Sequence, residues 1–114
     1  MSNSVHYFLK IKPYTEISSL SEFNTVIKTN SRVVVDFYAS WCGPCKMISP
    51  VFIELAQDYP LIKCIKVNVD TSPEIARECG IRSMPTFRFY RQGGLVKEFT
   101  GANPSHLKYE FSHL

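Results

Sequence analysis

The run Val33-Val34-Val35-Asp36-Phe37-Tyr38-Ala39 has almost no polar alternation. Its β-branched and aromatic residues predict a strand covered on both faces, as strands of parallel sheets are. Downstream, Met47, Ile48, Val51, Phe52 and Leu55 recur at i, i+1, i+4, i+5 and i+8. That period predicts a helix from Cys42 to Tyr59 with these five side chains on its buried face. Pro50 lies inside it and is expected to kink it, because the ring removes an amide donor and crowds the preceding turn. Leu61 to Val69 returns to a strand pattern, so strand, helix and strand form a βαβ unit.

The flanking segments read with the same rules. Residues 1–14 are taken as an extended N-terminal arm, and Thr15 to Ser18 as a short strand. Ser19-Leu20-Ser21-Glu22 has the form of a capping box, with Ser19 holding a first-turn amide and Glu22 reaching back. The helix it opens runs to Thr29 and buries Phe23, Val26 and Ile27. Ser72-Pro73-Glu74 starts another helix, with a capping serine, proline in the first turn and an acid at the positive dipole end. Gly80 stops it. Thr86 to Tyr90 and Val96 to Thr100 flank Gln92-Gly93-Gly94, an antiparallel hairpin with glycines in its turn. Asn103-Pro104 opens a last helix through Leu114. The predicted order is β α β α β α β β α. Residues 15–114 thus form one α/β domain, a central mixed sheet with helices on both faces.

Composition narrows the function. The chain has 114 residues, 45% hydrophobic and 20% charged, the balance of one globular domain and not of a disordered chain. The net charge of +3 is small and no basic run concentrates it, so nucleic acid is not an expected partner. The longest apolar run, Val33 to Ala39, is far short of the roughly 20 residues of a membrane span. The N-terminus has neither a basic n-region nor an apolar h-region, so a cytoplasmic protein is expected. In a reducing compartment the four cysteines, Cys42, Cys45, Cys64 and Cys79, are not expected to form a structural framework.

The chemistry lies at Trp41-Cys42-Gly43-Pro44-Cys45-Lys46. A Cys-x-x-Cys at a helix start puts the first sulfur at the N-terminal end and the second one turn inside. The two sulfurs can reach disulfide distance, while orphan amides and the dipole stabilise a thiolate on Cys42. An exposed Cys42 beside a shielded Cys45 makes a nucleophile with a resolving partner. Gly43 lets a partner chain approach and Pro44 limits the turn. A structural zinc site would want four ligands. Cys64 and Cys79 supply no second pair, and His6, His106 and His113 are remote in sequence, so no metal is expected. Two inert packed thiols are the other bland alternative, and a strand running straight into this motif argues against it.

The hexapeptide matches the thioredoxin signature at every position. Val33-Val34-Val35-Asp36-Phe37, Ser83-Met84-Pro85-Thr86-Phe87 and Phe99-Thr100-Gly101-Ala102-Asn103 also resemble thioredoxins, nearest to the eukaryotic cytosolic ones. The similarity covers residues 15–114 and implies the thioredoxin fold and a protein-disulfide reductase. It implies a cis Pro85 facing the cysteine pair and a Met84 backbone that pairs with a substrate strand. Trp41, Gly43, Pro44, Met84, Gly101 and Ala102 would form an apolar docking surface around Cys42. Asp36 would lie beneath the pair and relay a proton to or from Cys45, with Lys66 as the nearby cation. The alternatives are an Asp bonded to local amides and a surface lysine.

The same resemblance implies no bound cofactor. The redox-active Cys42–Cys45 disulfide would be re-reduced by a thioredoxin reductase drawing on NADPH. Targets would be disulfide proteins such as peroxiredoxins or ribonucleotide reductase, and the chain a monomer. An isomerase or oxidase of the same fold is the competing enzyme; its members commonly carry a histidine where Gly43-Pro44 stands. A non-enzymatic module of this fold would be expected to have lost a cysteine. Cys64 and Cys79 read as buried or half-exposed free thiols. In relatives extra cysteines serve regulatory oxidation, for which Cys79 is the better placed. Tyr38 replaces the Trp of some members, with little expected effect.

Overall fold

The computed structural model describes residues 12–114. Most of the N-terminal arm therefore lies outside the described residues. The elements are β1 (Thr15–Glu16), α1 (Leu20–Thr29), β2 (Arg32–Tyr38), α2 (Gly43–Asp58), β3 (Lys63–Asn68), α3 (Pro73–Glu78), β4 (Thr86–Arg91), β5 (Gly94–Thr100) and α4 (Pro104–His113). Their order is the one predicted. The five strands form one sheet in the order β1-β3-β2-β4-β5. The pairs β1–β3 and β2–β3 are parallel, and β2–β4 and β4–β5 antiparallel, so the sheet is mixed.

Strand alternation divides the core in two. Val33, Val35, Phe37, Ile65 and Val67 point to one face and pack with Phe23 and Ile27 of α1 and Ile75 of α3. Val34, Cys64, Phe87 and Phe89 point to the other and pack with Ile48, Phe52 and Leu55 of α2 and Leu107 and Phe111 of α4. Asp36 lies two residues beyond Val34, so it shares the α2 face. Register extends this: Glu16 of β1 aligns with Lys66 of β3, and Lys66 with Asp36 of β2. Three charged residues remote in sequence thus form one cross-strand row on the face that α2 covers.

Local signals mostly act as expected. Ser19 caps α1, its Oγ accepting from the Glu22 amide at 3.0 Å. Asn103 caps α4, accepting from the His106 amide at 3.1 Å. Gly80 leaves α3 with φ +66°, and Gln92 and Gly93 turn the hairpin with φ of 52° and 81°, the left-handed pair that a two-residue turn requires.

Several expectations fail. Ser72 makes no side-chain cap bond; its Oγ is buried without a partner among the described residues. Met47 is 63% exposed instead of buried. Met47 falls on the solvent side of α2 because the core lies along Ile48, Phe52 and Leu55. Leu61 precedes β3, which begins at Lys63. Val26 and Val51 are only half-buried, at the rims of the α1 and α2 contacts.

Arg88 ties the α3 side together. It donates to the Cys79 carbonyl at the end of α3 (2.8 Å) and to the Tyr90 hydroxyl (3.0 Å), and pairs with Glu98 of β5. Arg88→Met is expected to lower stability by about 1–3 kcal/mol, because it strands groups that the guanidinium satisfies. Urea unfolding checks this; a midpoint equal to that of the unaltered protein would contradict it.

Candidate functional site

The cysteine pair sits where β2 hands over to α2. Ala39 to Trp41 bridge the two elements, and the Cys42 amide donates to the Ala39 carbonyl at 3.2 Å. Cys42 is the N-cap of α2, with extended φ and ψ of −87° and 111°. Gly43 and Pro44 follow in the first turn, where proline's missing N–H costs nothing. Cys42 and Cys45 are joined in a disulfide with their Cα atoms 5.3 Å apart. The Cys45 amide donates to Cys42 Sγ at 3.1 Å. That amide is one of the helix's orphan donors, so the cap position directs an N–H at the sulfur that must carry negative charge when reduced.

The exposure expected of Cys42 is not found. Cys42 is 4% and Cys45 5% exposed. Ala39 shares their cluster, and Tyr38, Val69 and Met84 pack against it. The asymmetry between the sulfurs therefore rests on the cap position and not on solvent access. In the reduced protein Cys42 is expected to react with iodoacetamide at least about tenfold faster than Cys45, as a thiolate favoured by that amide and the helix end. Burial pushes the Cys64 thiol up to about 12 and raises that of Cys79, so both should lag. Peptide mapping after brief labelling reads the order; preferential labelling of Cys45 would reverse the assignment.

The other site residues gather unevenly. Trp41 is 67% exposed, and its indole Nε1 donates to Asp70 Oδ2 at 2.8 Å. Around Gly43 a Cβ would meet nothing within 4 Å, leaving its backbone open to approach. The Met84–Pro85 bond is cis, and Cys42 Sγ lies 3.7 Å from the Met84 carbonyl oxygen. Gly101, with φ +102°, donates its amide to the Pro85 carbonyl at 2.9 Å. Ala102 packs against the α2–α4 core instead. Pro44 is exposed beside Gly43.

Asp36 is 1% exposed and lies in the middle of β2, not at a strand end. Its Oδ1 has no hydrogen-bond partner among the described residues, and its Oδ2 is 3.9 Å from Lys66 Nζ. Burial pushes the carboxyl up to about 7, against the pull of Lys66 and with a push from Glu16. Lys66 is buried at 8% exposure and donates to Ser49 Oγ of α2 at 3.3 Å. A pocket of about 250 Å³ beside them is lined by Tyr38, Cys45, Ser49 and Lys66 among others. Lys66 thus lies between Asp36, 3.9 Å away, and a pocket that Cys45 also lines.

Several contributors escaped the sequence reading. Tyr38 donates to Glu16 Oε2 at 2.8 Å and lies under Lys66. Asp70 and Ser49 complete the surroundings. A signal for Asp70 existed: β2 and β3 are parallel, so the loops after both strands meet on one rim, where open α/β sheets place their sites. Among the described residues no group of three or more His, Cys, Asp or Glu is placed to hold a metal.

A mixed sheet that presents a disulfide from the first turn of a helix defines the class of dithiol–disulfide oxidoreductases. The comparisons with known proteins are specific. A family model described as Thioredoxin matches residues 15–112. Mitochondrial thioredoxin-3 of Saccharomyces cerevisiae is 43% identical over 105 residues, covering 92% of this chain and 83% of the relative. The crystal structure of that mitochondrial thioredoxin 3 in its oxidised form superposes with TM-score 0.85 at 44% identity, over 89% of this chain and 95% of the other. A structure from work on thiol resolution in a yeast mitochondrial 1-Cys peroxiredoxin through glutathione and thioredoxin systems gives TM-score 0.86 at 44% identity, with the same coverage. The chain belongs to the thioredoxin family, with the family's fold and a redox-active disulfide in its own sequence.

Proposed function

We propose that the protein reduces protein disulfides by dithiol–disulfide exchange. The Cys42 thiolate attacks a target disulfide, forming a mixed disulfide and expelling one target thiolate. Asp36 takes the proton of Cys45, whose sulfur attacks Cys42; the intramolecular disulfide forms and the second target thiolate leaves. The observation that carries this reading is the placement of Cys42, an N-cap sulfur held by the Cys45 amide and beside the Met84 carbonyl. Trp41, Gly43, Pro44, Met84, Pro85 and Gly101 form the docking surface, with Ala102 supporting it from the core, and an extended target strand pairs there with the Met84 backbone. Lys66 holds the charge balance at Asp36.

Electrons come from NADPH through a thioredoxin reductase, and the disulfide alone serves as redox group. Peroxiredoxins and ribonucleotide reductase are the proposed targets; the yeast neighbour from the peroxiredoxin work supports the first. The working unit is a monomer whose oxidoreductase domain is residues 15–114. Tyr14, just before β1, packs against the core. The cytoplasm is the proposed compartment, and the mitochondrial relative makes the mitochondrion the competing one. No helix among the described residues is long and apolar enough to cross a membrane.

Reduction of insulin by the protein tests the reading in two arms. Dithiothreitol as electron source tests the exchange itself, and thioredoxin reductase with NADPH tests the recycling. Activity in both arms, abolished by Cys42→Ser, is expected. Activity with dithiothreitol alone would remove the reductase from the scheme. An oxidising potential for the Cys42–Cys45 pair would favour the isomerase.

A further inference from the structure

The Lys66 ammonium has more neighbours than its carboxylate partner. It lies 4.5 Å from the centre of the Tyr38 ring and 5.3 Å from that of Tyr14. Both distances are within cation–π range. Strand geometry explains the convergence. Tyr38 stands two residues after Asp36 on β2, and Tyr14 two before Glu16, so both share the face of the Glu16–Lys66–Asp36 row. Tyr38 is fixed in turn by its hydroxyl's bond to Glu16 Oε2. Ser49 supplies the one side-chain hydrogen bond that Lys66 Nζ makes among the described residues. A lysine is seldom this buried unless paired, yet the ammonium stands 3.9 Å from Asp36 Oδ2, longer than a charge-assisted hydrogen bond. The rings therefore account for part of what keeps it there.

We propose that Tyr14 and Tyr38 are positioning residues: their two rings cage the Lys66 ammonium and hold it at working distance from Asp36. Through that cage they set the pH at which Asp36 takes the proton of Cys45. This deepens the proposed oxidoreductase reading and rests on it.

The charged and titratable groups around the row come from every packed element. Glu16 faces it from β1, Tyr38 from β2, and Cys45 and Ser49 from α2; Lys12 lies 5.8 Å from the Tyr14 ring. Phe87, the β4 neighbour of Asp36, adds no charge. Two of these neighbours act on Asp36 with opposite sign. Lys66 favours its ionised form and Glu16 disfavours it. A loosened cage lets the ammonium withdraw; where an apolar replacement keeps Asp36 buried, its midpoint then rises.

Carbon-13 NMR of the Asp36 carboxyl across pH 4 to 10, on the oxidised protein, reads this without turnover. Tyr38→Leu is expected to raise the midpoint by about half a pH unit or more, roughly a threefold change in the acid-to-carboxylate ratio. Tyr14→Leu, at the sheet edge, should move it the same way and provides a second route should Tyr38→Leu fold poorly. Tyr38→Phe keeps the ring and should leave the midpoint within about 0.2 units of the unaltered value. Glu16→Gln keeps an acceptor for Tyr38 and should lower the midpoint. The pH profile of the resolving step should follow the same order. Unmoved midpoints in folded Tyr14→Leu and Tyr38→Leu would overturn the proposal. A rise in Tyr38→Phe equal to that in Tyr38→Leu would also overturn it, by assigning the effect to the hydroxyl. Failure of the oxidoreductase reading would appear separately, as no insulin reduction by the unaltered protein.

Discussion

Cys45→Ser is expected to cut disulfide-reducing turnover by more than about a hundredfold and to leave the protein covalently attached to its targets. The Cys42 thiolate still attacks, so one target thiolate leaves and the mixed disulfide forms. A serine hydroxyl does not displace the target from the Cys42 sulfur, and the complex persists. Cys42→Ser should lose turnover equally and trap nothing, because Cys45 lies in the first turn of α2 and lacks the cap position whose sulfur receives an amide. Non-reducing electrophoresis with mass spectrometry of bands sensitive to dithiothreitol separates the two variants. Equal trapping by both would mean that burial of both sulfurs leaves them interchangeable. No trapping by Cys45→Ser would exclude it as the resolving thiol.

Asp36→Asn is expected to stabilise the protein near pH 7 by about 2–4 kcal/mol while slowing the resolving step about a hundredfold. The carboxyl ionises near 3.8 in the unfolded chain and near 7 in the folded one, because burial outweighs the attraction of Lys66. Below 3.8 both states hold the proton, and Asp36 adds no pH dependence. Between 3.8 and 7 the unfolded chain releases its proton while the native state keeps it, so stability falls as pH rises. Above about 7 the loss is complete, on the order of 4 kcal/mol at 1.36 kcal/mol per pH unit. Asparagine keeps the shape and removes this loss, less what Lys66 forfeits with its counter-charge. Near pH 3 the variant should match the unaltered protein within about 1 kcal/mol. Denaturant midpoints from pH 3 to 8 test the stability, and stopped-flow reduction of a protein disulfide tests the rate. A gain independent of pH would remove Asp36 from a desolvated site. An unchanged rate would leave it structural.

Much of this protein is written locally. Strand β2 follows from the composition of Val33 to Tyr38, because a strand buried on both faces needs apolar residues at every position but one. That one exception, Asp36, marked the site. The hairpin follows from Gln92-Gly93, which can adopt the left-handed backbone of its turn. The redox pair follows from its two-residue spacing at a helix start, since cap geometry involves only neighbours in the chain.

Tertiary packing decided the rest. Periodicity reports which side chains share a helix face; how wide a face is covered depends on the opposing sheet, and so Met47 lies in solvent one residue from buried Ile48. The burial of Cys42 depends on Met84 and Val69, which arrive from other parts of the chain. Trp41 meets Asp70 across a separation of 29 residues. The cross-strand row of Glu16, Lys66 and Asp36 exists only because β3 pairs in parallel with β1 on one side and β2 on the other. A one-residue slip in either register would turn a charge to the opposite face. Sequence by itself determined the elements and the reacting sulfurs. The charged row of Glu16, Lys66 and Asp36 was assembled by sheet register, a property of the folded chain as a whole.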